Sequence, residues 1–204
     1  MRKLVAFAAG VVALASLGIA AGASTTPPTG TLSCGTTGTV TFKPALTPTT
    51  PAKKPTSVKI HKAAVDTCDS SGVAGGKATI NGGSIVLNAK IAPGADCQAV
   101  AAGTATLANP VLTVKLTNTT GSKTETVAVV KPTNLVVMPQ GAGFHATGTL
   151  PQTKAMNKPF GGETFETQIN VDNLSDFAGC LGGTNNVDHI DFSTAGGSGI
   201  SIHP

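Results

Sequence analysis

The sequence predicts an all-β fold: a single, predominantly antiparallel domain of about 10–12 short strands, arranged as a barrel or a sandwich. The first observation behind this prediction is that apolar and polar residues alternate with a period of two in several segments, which is typical of half-buried strands. The second is the composition, with 30 threonines, 25 glycines and 13 prolines. Threonine favours pleated strands, while glycine and proline favour the turns between them.

The alternation is clearest in residues 163–172, where one face would hold four residues: Phe165, Thr167, Ile169 and Val171. The same period places Leu112, Val114 and Leu116 on one face, and Asp188, Ile190 and Phe192 on another. Clusters of Gly, Pro, Asn and Ser separate such segments and indicate turns. The predicted strands cover residues 38–43, 57–61, 77–80, 84–91, 99–107, 110–117, 124–131, 134–138, 143–150, 163–171, 187–193 and 199–202.

Residues 43–57 form the most proline-rich stretch of the chain, with Pro44, Pro48, Pro51 and Pro55. Proline fixes φ and has no backbone N–H to give to a strand ladder. We therefore interpret residues 43–57 as an exposed, extended Pro/Thr/Lys-rich loop within the domain.

Residues 1–23 have the pattern of a secretory signal peptide. Arg2 and Lys3 precede an apolar run from Leu4 to about Ala20, and Ala21-Gly22-Ala23 follows as a cleavage site with small residues. We therefore expect residues 24–204 to form a secreted domain, extracellular or loosely associated with the cell envelope. No later segment approaches the length of a membrane-spanning helix, so we expect no stable membrane span in the mature form.

The four cysteines are predicted to form disulfides, because a secreted chain folds in an oxidising compartment. Four cysteines allow three pairings, and the sequence alone leaves them open. If successive strands run up and down, Cys34 and Cys68 lie at the same end of the domain, and Cys97 and Cys180 return to that end. This topology favours the pairing Cys34–Cys68 and Cys97–Cys180.

No metal site, cofactor or catalytic residue is predicted. No two cysteines have the close spacing of a zinc clasp, and the four histidines are scattered. The most site-like group is Asp188, His189 and Asp191, in which strand geometry puts His189 and Asp191 on one face. Because that face is opposite Ile190, we interpret the group as a polar surface cluster, and a secreted hydrolase is the least favoured function.

The composition also limits the partners. The only arginine of the chain is Arg2, within the predicted signal peptide, and there is no Trp or Tyr. The mature domain therefore lacks the guanidinium groups and the larger aromatic rings that bind phosphates and bases, so we expect no nucleic-acid partner. We predict a non-enzymatic interaction or structural protein whose partner is an extracellular or envelope macromolecule.

An alternative function is that of a carrier, in which a β-barrel encloses a small apolar ligand. Many predicted strands have one apolar face, and the chain has few large side chains to fill an interior. A carrier would need an enclosed apolar volume of about 300 Å³ or more.

Several short motifs surround the cysteines. Cys34 is followed by Gly-Thr-Thr-Gly-Thr-Val-Thr-Phe-Lys-Pro, Ala95-Asp96 precedes Cys97, Phe177 lies three residues before Cys180, and Ile190-Asp191-Phe192 comes near the end. With these motifs the chain resembles a group of small, secreted, β-rich actinobacterial proteins with four cysteines and unknown function. The resemblance implies an extracellular β-rich fold and supplies no catalytic residues.

Overall fold

The computed structural model describes residues 27–50, 52–75, 79–102, 104–105, 107–140, 143–151 and 159–204. The predicted signal peptide, residues 1–23, lies outside these ranges. The fold is all-β, as predicted, with ten strands and two short helices in the described residues.

The strands are β1 (Thr29–Leu46), β2 (Thr56–Ala74), β3 (Gly82–Ile91), β4 (Leu107–Thr120), β5 (Lys123–Val130), β6 (Thr133–Gln140), β7 (Gly143–Thr149), β8 (Thr164–Asn170), β9 (Val187–Phe192) and β10 (Gly199–His203). The helices are α1 (Cys97–Ala101), between β3 and β4, and α2 (Leu174–Leu181), between β8 and β9.

All ten strands belong to one antiparallel sheet with the order β5-β4-β3-β2-β1-β10-β8-β7-β6, and β9 pairs with β1 outside this path. The sheet is not closed, because β5 and β6 form its two ends and do not pair with each other. Lys131 and Pro132 join these two ends directly along the chain. The sheet is strongly curved, since residues of β4 and β7 line the same interior cavity.

β1 lies near the middle of the sheet and uses both of its edges. Along one edge it pairs with β2 over most of its length. Along the other edge it pairs with β10 at Leu32–Gly35 and then with β9 from Gly38 to Leu46. The change of partner takes place within a few residues of β1.

The inner faces of the strands pack into one hydrophobic core. Leu112, Val114 and Leu116 are all buried, as their alternation predicts, and so are Phe165 and Val171. The largest fully buried side chains are those of Phe160, Phe165 and Phe192. The period-two pattern is confirmed in these strands because one face of the sheet packs against the core while the other faces solvent.

Both favoured disulfides are present, Cys34–Cys68 and Cys97–Cys180. The cysteines of the first bridge lie inside β1 and β2 rather than at the strand ends. Ser33 pairs with Asp69 and Gly35 with Asp66, so β2 has one extra residue opposite Cys34. The bridge therefore joins the two strands at a β-bulge.

Two of the predicted strands are wrong. Of the described residues in 99–107, three belong to the end of α1, and Leu107 alone belongs to a strand. The Asp96 side chain caps α1 by accepting a hydrogen bond from the Ala99 N–H at 2.8 Å. In the predicted strand 77–80, residues 79–80 are not in a strand and residues 77–78 lie outside the described ranges.

The predicted loop of residues 43–57 is shorter in the structure. β1 continues to Leu46 and β2 begins at Thr56, and both of these residues are buried. The connection between the two strands is therefore confined to residues 47–55. The apolar side chain of Leu46 explains this difference, because it packs into the core although it follows Pro44.

The described helices are too short or too polar for a membrane span: none of them is long and apolar enough to cross a bilayer. The two disulfides are compatible with an extracellular location, where thiols are oxidised.

We expect the Cys97–Cys180 bridge to contribute more to stability than the Cys34–Cys68 bridge. Cys97 and Cys180 are 83 residues apart in the chain, and Cys34 and Cys68 are 34 residues apart. Closing a longer loop removes more entropy from the unfolded chain. The double variant Cys97→Ala/Cys180→Ala should lower the free energy of unfolding by about 4.5 kcal/mol, and Cys34→Ala/Cys68→Ala by about 4 kcal/mol. Urea denaturation measures both, and the opposite order would contradict the expectation.

Candidate functional site

The Asp188-His189-Asp191 cluster lies on the outer face of β9. Ile190 is buried on the inner face, and Thr41 of β1 pairs with His189. The sequence puts Asp188 on the same face as Ile190, but this is wrong, because the Asp188 side chain is 75% exposed. The regular alternation fails here because β1 has extra residues between Thr41 and Leu46, and this irregularity shifts the register.

The His189 imidazole lies between two carboxylates. Its Nδ1 is 2.6 Å from Asp188 Oδ1, and its Nε2 is 3.9 Å from Asp191 Oδ2. Asp191 is held from two sides, since Thr39 Oγ1 donates a hydrogen bond to its Oδ1 at 2.6 Å and its backbone N–H donates to Asn173 Oδ1 at 3.0 Å. The structure therefore brings together the three residues that the sequence grouped, and adds Thr39.

Asp188 and His189 shift each other's pKa. The hydrogen bond that the His189 ring donates to Asp188 raises the pKa of His189 above its usual value, and Asp191 and Asp176 add smaller effects in the same direction. The same hydrogen bond to His189 lowers the pKa of Asp188. Both side chains are largely solvated, so the pair stabilises the fold only weakly.

The cluster does not have the geometry of a catalytic triad. In a triad, one imidazole nitrogen accepts the proton of a nucleophile and the other donates to an orienting carboxylate. Here both ring nitrogens of His189 face carboxylates, and the nearby hydroxyl of Thr39 donates to Asp191 instead of to the ring. In the described ranges, no group of three or more His, Cys, Asp and Glu residues could hold a metal ion.

A second polar group lies on the outer face of β7, β8 and β10. The Glu166 carboxylate is between two imidazoles, 3.9 Å from His145 Nε2 and 3.5 Å from His203 Nε2. All three side chains are partly solvated. Neighbouring antiparallel strands place such side chains side by side, so we interpret the group as cross-strand polar contacts on the surface.

Glu163 is a buried carboxylate that sequence reasoning did not distinguish from a surface residue. Its side chain is only 8% exposed, and its Oε1 accepts a hydrogen bond from the Gly30 N–H at 2.6 Å. Its Oε2 has no hydrogen-bond partner among the described residues. Glu163 connects the start of β1 to the segment that precedes β8.

Among the described residues, a cavity of about 100 Å³ lies between the inner faces of the curved sheet. It is partly open to solvent, and nearly all the side chains that line it are apolar. The strands β1, β2, β3, β4, β6, β7, β8 and β9 all contribute to the lining. This volume is smaller than the enclosed apolar volume of roughly 300 Å³ that the carrier hypothesis requires.

Thr36 is the cavity residue that sequence reasoning missed. It is fully buried in β1, whereas its neighbour Thr37 is exposed. Its Oγ1 has no hydrogen-bond partner among the described residues. The period-two pattern separates the two threonines, because Thr36 is in phase with four buried residues of β1: Leu32, Cys34, Val40 and Phe42. The predicted strand began only at residue 38 and therefore left Thr36 out.

In comparisons with known proteins, no family model, no curated protein and no solved structure matches the chain. The resemblance to small secreted actinobacterial proteins stays a prediction. The function must therefore be argued from the sheet, its surface clusters and its cavity.

We expect an NMR titration to show a pKa for His189 above about 6.5, the usual value for histidine. Asp188→Asn should return this pKa most of the way to 6.5, because the hydrogen bond that His189 donates to the Asp188 carboxylate is the largest cause of the shift. Asp176→Asn is the matched control and should have a much smaller effect, since Asp176 acts only through its distant charge. Equal effects of the two substitutions would contradict the assignment.

The sign of the pH dependence follows from the raised pKa. The ion pair exists while His189 is protonated, so its small contribution to stability is fully present below about pH 6.5. It is lost as the pH rises through the raised pKa of the folded state.

Proposed function

We propose that the protein is a non-catalytic extracellular domain that binds an extended segment of another protein along the free edge of β6. β6 is the last strand of the sheet, and its one strand partner in the described residues is β7. The backbone groups on its other side therefore lack a strand partner. An edge of this kind is a template for an added strand, and it is the observation that carries the proposal.

The side chains of β6 favour such pairing. Val136 and Met138 point outward and are 53% and 48% exposed, while Leu135 and Val137 line the interior cavity. The strand Thr133–Gln140 contains no charged residue. Proteins commonly protect free edges with charged side chains, especially lysine, or with proline. β6 has no charge, and its one proline, Pro139, lies near its end, which leaves residues 135–138 open to an added strand.

The other end of the sheet is less suitable for this role. β5 begins with Lys123 and contains Glu125 two residues later. Charges along an edge oppose the approach of another strand. The contrast between the two ends selects β6 and indicates a partner segment that is uncharged and alternates apolar residues, because these would pack beside Val136 and Met138.

Two further features support an extracellular, non-catalytic function. The domain holds two disulfides, which persist in oxidising compartments. In its most site-like cluster, both nitrogens of the His189 ring face carboxylates, so neither is directed at a nucleophile.

The test compares Val136→Lys with Val111→Lys. Both valines are exposed, at 53% and 57%, but Val111 lies on β4, where it pairs with Asn88 of β3 and is not reached by β5. It therefore tests whether a lysine at another unpaired stretch of the sheet has the same effect. Purified wild-type protein and both variants are used to capture partners from the culture supernatant, the captured protein is identified by mass spectrometry, and its affinity is then measured. We expect Val136→Lys to weaken binding at least about tenfold, because a lysine on the edge opposes strand addition, and Val111→Lys to leave it unchanged.

Three outcomes would overturn the proposal. Wild-type affinity in both variants would show that the partner does not use β6. Equal loss in both would indicate a general effect of added charge on the outer face. A homodimer in light scattering that Val136→Lys dissociates would identify a second copy of the chain as the occupant of the edge.

A further inference from the structure

The partly exposed residues of the cavity lining show where the cavity opens. Deep lining residues such as Ile60 and Phe192 are almost completely buried. Leu107 of β4, and Leu135 and Val137 of β6, also line the cavity but are only half-buried. The cavity therefore reaches solvent beside β4 and β6, and the side chains around this opening are accessible to another molecule.

The backbone is unpaired on both sides of this opening. β5 pairs with β4 from Val114 to Thr120, so residues 107–113 have no strand partner on that side among the described residues. β6 is likewise unpaired, in the described ranges, on the edge away from β7. An extended peptide segment fits such an opening, because it offers backbone N–H and C=O groups to an edge and a side chain to the space behind it.

The register of β6 determines which side chains of an added strand face the cavity. Neighbouring strands of a sheet place their side chains in the same alternation. On β6, Leu135 and Val137 line the cavity, while Val136 and Met138 face outward. The residues of an added strand that lie beside Leu135 and Val137 therefore point inward, past the edge of β6 and into the opening.

The lining and the size of the cavity define the inward residue. All lining side chains apart from Thr36 and Thr167 are apolar. Thr36 is completely buried, and Thr167 Oγ1 donates a hydrogen bond to the Gly199 carbonyl at 3.0 Å, so neither hydroxyl serves a polar group of the segment. The volume of about 100 Å³ is of the same order as the roughly 150 Å³ of an engineered apolar cavity that holds benzene. This is a space for one aliphatic side chain.

We infer that the segment bound at the β6 edge inserts one aliphatic side chain, of about the size of leucine, into the cavity. The inference rests on the proposed function, because the segment must pair with β6. Backbone pairing gives affinity for any uncharged strand, whereas the cavity selects a segment by one residue. The Val111 side chain takes no part, since it faces outward from β4.

The experiment uses two synthetic peptides, acetyl-Thr-Thr-Val-Leu-Val-Thr-Thr-amide and the same peptide with alanine at the central position. When the two valines lie beside Val136 and Met138, the central residue points inward. Binding is followed by NMR of the Ile60 and Leu112 methyl groups, which line the cavity, and of the backbone amides of Val136 and Met138. The reference is a methyl group of Ile80, which is buried but does not line the cavity.

The variant Ala146→Leu fills the cavity from the protein's own side. Ala146 of β7 lines the cavity and pairs with Val137, so a leucine there occupies the space and leaves the sequence of β6 unchanged. Ala64→Leu is the matched control, because Ala64 is exposed on β2 and does not line the cavity. The measured quantity is the ratio of the dissociation constants of the alanine and leucine peptides.

We expect the wild type and Ala64→Leu to bind the leucine peptide at least about tenfold more tightly than the alanine peptide, because the larger side chain buries more apolar surface. In Ala146→Leu this ratio should fall below about three, while the β6 amides still shift. Urea denaturation should show that Ala146→Leu is at least as stable as the wild type, since a side chain that fills a cavity adds contacts without overpacking.

Three results would overturn the inference on affinity and stability. The first is equal affinity of the wild type for the two peptides. The second is a leucine preference that Ala146→Leu retains. The third is a loss of stability in Ala146→Leu, which would show that the cavity does not admit a side chain of this size.

The NMR signals separate this inference from the proposed function. If the β6 amides shift and the cavity methyls do not, the segment binds the edge without entering the cavity, so the inference fails and the β6 proposal stands. If the cavity methyls shift and the β6 amides do not, the peptide enters by another route and both fail. If neither group shifts, the inference fails, and the capture experiment decides on β6.

Discussion

The backbone hydrogen bonds of β1 determine where the other strands lie. A strand has two edges, and each backbone N–H can serve one ladder at a time. One edge of β1 belongs to β2, and the other passes from β10 to β9 between Gly35 and Gly38. A Cβ atom on Gly38 would lie 2.9 Å from Ala63 Cα, so only glycine allows the strands to approach closely here. In this changeover segment the Thr36 N–H donates to the Ser198 carbonyl, outside both ladders.

The small side chains of the interior explain why a space remains inside the sheet. Aromatic residues make up 3% of the chain, and most buried side chains are Val, Ile, Leu and Ala. Protein interiors pack densely when large and small side chains interdigitate. A curved ten-stranded sheet with few large side chains cannot fill the space between its inner faces. Phe42, Phe144 and Phe192 are the aromatic residues that line the remaining cavity.

Alternation in the sequence predicted most of the fold because it reflects burial on one face, as in Leu112, Val114 and Leu116. It could not predict α1, since five residues are too few to show a helical period; the available signal was the capping side chain of Asp96. The surface cluster of His189 and Asp191 followed from strand geometry, but the position of Asp188 depends on a bulge in β1. The burial of Thr36 follows the same alternation as that of Leu32 and Cys34, and the prediction missed it because its first strand began at residue 38.

The order of strands in the sheet also has a consequence for folding. β1 to β5 form one meander and β6 to β8 another, and within each meander every pair joins strands that are neighbours along the chain. Such local pairings need little loop closure and form quickly. The pairings of β1 with β10 and β9 join distant parts of the chain and should be the slow step. Cys97, between β3 and β4, and Cys180, between β8 and β9, then bind the two meanders together covalently.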